Sequence, residues 1–203
     1  MLNIELEMIK LLYVHGLSSS GASSTVGNLK RLLSVEDTVI APDLPIDPKK
    51  AVELLSQICQ KEQPDIIVGT SMGGMFAQKL RGYPKLLINP AFHVSGFMKN
   101  NIGILPFLNP RKDGVSQFEI TEQLCADYEQ LETTQFMNLD DFEKNNTFGL
   151  FGKYDMLVNC SNEFIQNYKF IRWFEGEHRL TYDNIKQDVI PYIQDILNQV
   201  YIK

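Results

Sequence analysis

Gly69-Thr70-Ser71-Met72-Gly73 sets one serine between two glycines in a G-x-S-x-G spacing. Five residues of this kind recur by chance, so the flanks decide what the pattern means. Asp65-Ile66-Ile67-Val68 before it reads as a buried strand, and residues 72–80 after it read as a helix. In a strand–turn–helix setting the turn is so sharp that the residues two before and two after the serine must lack bulk. The hydroxyl then stands free at the tip as a nucleophile. As a plain helix cap, Ser71 would instead bond backbone N–H groups. The preceding strand and the paired glycines favour the nucleophile.

A serine hydroxyl attacks only when a base takes its proton. The chain has three histidines, His15, His93 and His178. Where the nucleophile sits on such a turn the chain order is serine, acid, histidine, and only His178 comes late enough. His93 is the weaker alternative. Asp155, in Phe151-Gly152-Lys153-Tyr154-Asp155, closes a predicted strand and is the acid expected to orient His178. Asp43, in Ala41-Pro42-Asp43-Leu44-Pro45, reads as a loop anchor, and Glu175 and Glu177 are expected to point away from their neighbour His178. Two backbone N–H groups must face the oxygen that gains charge. Met72, next after the serine, supplies one and Leu17 the other. Gly16 lets the backbone approach, and His15 reads as a structural residue that holds this loop.

Strand-like and helix-like segments alternate around these residues. Short apolar runs at 9–14, 38–41, 65–69, 85–88, 146–151 and 169–174 read as six buried strands. Apolar residues at helical spacing mark helices at 26–33, 48–60, 72–80 and 185–200. Asp47 caps the second of these ahead of Pro48, and Pro191 kinks the last or marks its true first turn. This alternation predicts a parallel sheet with helices on both faces, and such sheets bind ligands at the carboxyl ends of their strands. Residues 92–143 break the pattern and are expected to hang over that edge as a cap. The cap's first part is rich in Phe, Ile and Leu, from Phe97 to Leu108. Its second part, 117–131, reads as an acidic amphipathic helix. Phe92 and His93 open the insertion and are candidate substrate contacts together with Gly16. The apolar stretch reads either as the wall of a modest acyl pocket or as packing on the sheet edge, and it is also compatible with a dimer surface.

The chain has 203 residues, 44% hydrophobic and 22% charged, and a net charge of −6. This is the composition of one folded domain over 1–203 with a substantial core. The acidic balance argues against a nucleic-acid partner, which asks for a basic face. The first residues carry Glu5 and Glu7 where a secretory signal would carry Lys or Arg. No run of ~18 apolar residues occurs, so no membrane span is expected. Cys59, Cys125 and Cys160 are odd in number and widely spaced, as free and buried thiols of a reducing, cytoplasmic compartment would be.

Taken together, the opening Leu12-Tyr13-Val14-His15-Gly16, Pro42-Asp43-Leu44-Pro45, the Gly69 to Gly74 turn, Ile88-Asn89-Pro90-Ala91, Gly152 to Asp155 and Gly176 to His178 resemble the α/β-hydrolase superfamily. Within it they are similar to the YqiA/YcfP-like group of small bacterial esterases. The resemblance runs from about Met8 to the last helix, and the residues before Met8 read as an extension or an edge strand. It implies a small α/β-hydrolase fold with a six-stranded, mostly parallel sheet and a cap insertion, with no metal and no organic cofactor. It puts Ser71, Asp155 and His178 in the family's catalytic places. An Arg common in the family after the Asn-Pro-Ala motif is replaced here by Phe92-His93, so substrate choice does not carry over.

The expected activity is hydrolysis of a small-molecule carboxylic ester or thioester through an acyl-enzyme. Acyltransferases, peptidases and C–C hydrolases use the same triad, and fold alone does not separate them. A silent binding protein on this scaffold would usually have lost a triad member, and all three are present.

Overall fold

The computed structural model describes residues 8–201. The extension before Met8 lies outside the described residues. In chain order the elements are β1 (Lys10–Val14), α1 (Ser24–Leu32), β2 (Thr38–Ile40), α2 (Pro48–Glu62), β3 (Ile66–Thr70), α3 (Met72–Lys79) and β4 (Lys85–Ile88). The insertion holds α4 (Val94–Lys99), β5 (Gly103–Pro106), β6 (Gln117–Ile120), α5 (Glu122–Thr133) and α6 (Asp141–Asn146). The chain closes with β7 (Thr147–Gly152), α7 (Ser161–Asn167), β8 (Phe170–Phe174), α8 (Tyr182–Asn184) and α9 (Ile190–Tyr201).

The main sheet has six strands in the order β2-β1-β3-β4-β7-β8, and every neighbouring pair is parallel. Alternate residues of each strand go to opposite faces, and both faces are apolar. Leu12, Val14, Ile67 and Leu87 join the cluster under α2, α3 and α5, while Leu11, Tyr13, Ile66, Val68 and Leu86 join the cluster under α1 and α9. That double burial is why the strands read as continuous apolar runs. The chain runs outward from β1 to β2 and returns to β3 on β1's other side. The loops after β1 and β3 therefore part at a switch point, where such sheets open a crevice.

One expectation needs correction. Residues 117–120 are strand β6, not the start of a helix: Phe118 and Ile120 are buried while Gln117 and Glu119 are exposed, and they pair with β5. The helix begins only at Glu122, where the Thr121 hydroxyl accepts the N–H of Leu124. Of the two readings of Pro191, the first-turn one holds. One wide turn, Ile185–Val189, precedes α9, with the Ile190 N–H bonded five residues back to Ile185 O. Pro191 then lies in the first turn of α9.

The cap is fastened to the sheet edge. Leu108 N–H donates to Ser18 O at 2.7 Å, the Ser20 hydroxyl to Pro110 O at 2.7 Å, and Lys112 N–H to Asp43 Oδ2 at 2.7 Å. Asp43 Oδ1 also accepts the Gly21 N–H at 2.8 Å, so this carboxylate joins three loops. Met98, Leu105 and Phe107 pack on the core, while Ile102 and Ile104 face solvent.

Candidate active site

The turn after β3 is held by its neighbours. Ser71 has φ 54° and ψ −126°, a strained conformation for a residue with a side chain. Its N–H donates to Ile88 O at 3.1 Å, and its carbonyl accepts from Gly74 at 2.9 Å and Ala91 at 3.0 Å. The turn closes only because its flanks are glycines. A Cβ on Gly69 would stand 2.5 Å from Gly73 O, and one on Gly73 would overlap the Val14 carbonyl.

His178 follows β8 and Asp155 follows β7, adjacent strands of the sheet. Their loops are zipped together by Lys153 N–H to Phe174 O at 3.0 Å and Tyr154 N–H to Gly176 O at 2.9 Å. His178 Nδ1 donates to Asp155 Oδ2 at 2.7 Å, and the Ser71 hydroxyl donates to His178 Nε2 at 3.0 Å. Asp155 Oδ1 accepts the N–H groups of Leu157 (2.9 Å) and Val158 (3.0 Å), which fixes the carboxylate. Its side chain is only 4% exposed and that of His178 15%. Glu175, a sequence neighbour, is occupied elsewhere. It pairs with Lys153 and accepts the Tyr154 hydroxyl at 2.7 Å, and these bonds hold its carboxyl below the usual range.

The loop after β1 faces the serine. A Cβ on Gly16 would lie 3.1 Å from Ser71 Cβ, so the backbone here approaches the serine more closely than a side chain would readily allow. Leu17 and Met72 line the same cavity as Ser71. Neither of their N–H groups takes part in the hydrogen bonds among the described residues. His15 stands behind the loop. Its Nδ1 donates to Gly16 O at 2.8 Å and its Nε2 accepts the Leu44 N–H at 3.1 Å. That pair of bonds requires the neutral ring, and burial pushes its pKa below the ordinary value.

The cavity beside Ser71 encloses about 950 Å³. Phe97 and Leu108 of the cap line it, as does His93, whose Nε2 donates to Glu163 Oε2 at 2.7 Å. His93 is exposed at the rim, and its ring is engaged by Glu163, whereas the Ser71 hydroxyl is paired with His178. Phe92 is not a substrate contact. Its ring is fully buried, edge-on to Phe136 at 5.0 Å between centroids, because the turn after β4 directs it into the core. Cys160 is half-buried against the cavity rather than in the core, unlike Cys59 and Cys125. Among the described residues no three His, Cys, Asp or Glu side chains cluster as metal ligands would, and no helix is long and apolar enough to cross a membrane.

From sequence, Asn89 stands at the carboxyl edge of the sheet, in the Asn-Pro-Ala motif, without an assigned role. It is 2% exposed, with φ 42°. Its Nδ2 donates to the carbonyls of Glu177 (3.0 Å) and His178 (3.2 Å), and its Oδ1 accepts the Gly152 N–H at 2.7 Å. One amide thus ties together the ends of β4 and β7 and the histidine loop. The only sequence signal was an Asn-Pro pair closing a strand at the carboxyl edge.

The model of the uncharacterised protein family UPF0227 matches residues 10–197. Among solved structures, the chain is similar to Est1E from Butyrivibrio proteoclasticus, with a TM-score of 0.62 at 12% identity over 94% of this chain and 89% of that one. It is also similar to an α/β superfamily hydrolase from Oenococcus oeni PSU-1 (TM-score 0.57, 19% identity, 94% and 93% covered). A third likeness is to FphF, a fluorophosphonate-binding serine hydrolase of Staphylococcus aureus (TM-score 0.54, 17% identity, 94% and 84% covered). At these identities the likeness is one of fold, and the fold is that of the α/β hydrolases.

Proposed function

We propose that this chain, which belongs to the uncharacterised protein family UPF0227, is a serine hydrolase that cleaves carboxylic ester or thioester bonds. The observation that carries the reading is the relay of two hydrogen bonds, Ser71 Oγ to His178 Nε2 at 3.0 Å and His178 Nδ1 to Asp155 at 2.7 Å. Asp155 fixes the tautomer with the proton on Nδ1, which leaves the Nε2 lone pair facing the serine.

Ser71 Oγ attacks the acyl carbon as its proton passes to His178 Nε2. The carbonyl oxygen gains the negative charge, between the N–H groups of Leu17 and Met72. Met72 is the first residue of α3, so its N–H has no partner within the helix. Collapse of this intermediate breaks the acyl bond to oxygen or sulfur, and the leaving alcohol or thiol takes the proton from His178. Water then enters, loses a proton to His178 and displaces the acyl group from Ser71, which recovers its proton. Gly16 gives the substrate room beside the nucleophile, and His93 stands at the rim of the binding cavity. The free state of all three cysteines supports a reducing, cytoplasmic setting.

The test is a panel of acyl esters and thioesters offered to the wild-type protein and to Ser71→Ala. The reading expects turnover by the wild type and a loss of about 10³-fold or more in the variant, with an unchanged melting temperature. Turnover retained by pure Ser71→Ala overturns it. Product formed on an added alcohol or amine faster than on water would instead assign acyl transfer.

A further inference from the structure

The cavity beside Ser71 has two unlike walls. Hydroxyls come mainly from the β1 and β3 side, from Tyr13, Ser18, Ser24, Thr25 and Thr70, with the apolar Leu17 and Leu108 among them. Apolar groups come mainly from the segments that follow β4 and β7, from Val94, Phe97, Leu157 and Val158, with His93 and Asn159 at their edges in sequence. Because β3 lies between β1 and β4 in the sheet, Ser71 stands at the border of the two walls. The hydroxyl wall is a built feature of the fold. Tyr13 is buried in a strand, and its hydroxyl bonds Thr70 Oγ1 at 2.8 Å. The hydroxyls of Ser18 and Ser24 take no partner among the described residues and are left for whatever enters.

Resting on the hydrolase reading, we propose that the substrate is an ester of a neutral, hydroxyl-bearing alcohol, such as a glycerol or sugar unit. Its alcohol lies on the wall of Ser18, Ser24, Thr25 and Thr70, and its acyl chain on the wall of Val94, Phe97, Leu157 and Val158. A volume of about 950 Å³ holds both halves of such an ester. Among the described residues, Arg179 is the only Lys or Arg that lines the cavity. A thiol carrier bearing several phosphates asks for a group of cations, and the chain as a whole carries −6. Hydroxyl donors and acceptors instead match a polyol, one hydroxyl to another.

The bond that breaks is the acyl carbon to oxygen bond. The polyol oxygen takes the proton from His178, and water supplies the hydroxyl of the released acid. No further reactant is needed.

The test compares glyceryl 1-butyrate with propyl butyrate, which share an acyl group and a three-carbon alcohol and differ by two hydroxyls. Butyryl-coenzyme A is the third substrate, and fluorophosphonate labelling of Ser71 is measured alongside. The proposal expects kcat/KM for the glyceryl ester to exceed that for the propyl ester by about tenfold or more. The ratio should shrink in Ser24→Ala and in Thr25→Val, and Thr25→Ser should restore it. Equal rates on the two esters, or a preference for the propyl ester or the thioester, overturn the proposal and leave the hydrolase reading standing. An unlabelled Ser71 with no turnover of any of the three removes the hydrolase reading, and this proposal with it.

Discussion

Asn89 holds His178 by the backbone: its side-chain amide donates to the His178 carbonyl at 3.2 Å and to that of Glu177 at 3.0 Å. The same amide accepts the N–H of Gly152, three residues before Asp155, at 2.7 Å. The base and its acid therefore share one support, which is buried and sits in the left-handed region, where Asn is better tolerated than most residues. Asn89→Asp keeps an acceptor for Gly152 but sets a carboxylate against two carbonyls. The expected result is a fall in kcat of about 10²-fold with little change in KM, since a small misplacement of reacting groups costs that much. Steady-state kinetics of Asn89→Asp and Asn89→Ala check it, and wild-type kcat in both would remove Asn89 from this role.

Gly73 is the tightest point of the turn. A methyl group there would overlap the Val14 carbonyl, which belongs to β1 and cannot step aside without parting the sheet. Gly73→Ala is expected to lose about 3 kcal/mol or more, a drop of about 6–12 °C in melting temperature for a chain of this size. Thermal unfolding followed by circular dichroism reads this directly.

Gly16 meets Ser71 in a milder way, with the added Cβ 3.1 Å from Ser71 Cβ and 3.6 Å from its Oγ. Gly16→Ala is expected to leave the melting temperature nearly in place and to lower kcat/KM by about tenfold or more, because the methyl fills the approach to the nucleophile. A melting temperature that falls while kcat/KM is preserved would assign Gly16 to stability alone.

His15 gives the folded protein a dependence on acid. Burial holds its pKa below the ordinary value, whereas in the unfolded chain it titrates near ~6.5. As the pH falls through that value, the unfolded chain takes up a proton that the folded chain refuses, so stability is lost toward acid and complete above it. Protonation would also set a second N–H against the Leu44 N–H, 3.1 Å from Nε2. The melting temperature is expected to fall between about pH 7.5 and about pH 5. His15→Gln should flatten this slope while lowering the value at pH 7.5. Equal slopes in the two proteins would acquit His15.

The sheet and the serine turn were legible because both are local. A parallel strand buried on two faces must be apolar along its length, as Ile66 to Val68 is, and a sharp turn must be glycine on both sides. What escaped depends on partners far away in the chain. Gln117–Ile120 alternates in burial, yet its strand identity is settled only by pairing with Gly103–Pro106 across the hairpin. Phe92 sits one residue from the cavity-lining His93, and its fate was decided by Phe136, more than forty positions on. Asn89 was a strand terminator in sequence, and its grip on His178 spans 89 positions.

The central claim is that His178 and Asp155 activate Ser71. Intact-mass spectrometry after treatment with a fluorophosphonate, on wild type and Ser71→Ala side by side, tests it most directly. The account predicts one adduct on the wild type, mapped to Ser71, and none on the variant. It also predicts that His178→Ala slows labelling by about 10²-fold or more, in line with the contribution of a positioned base. No adduct on the folded wild-type protein, or an adduct that persists in Ser71→Ala, would contradict it.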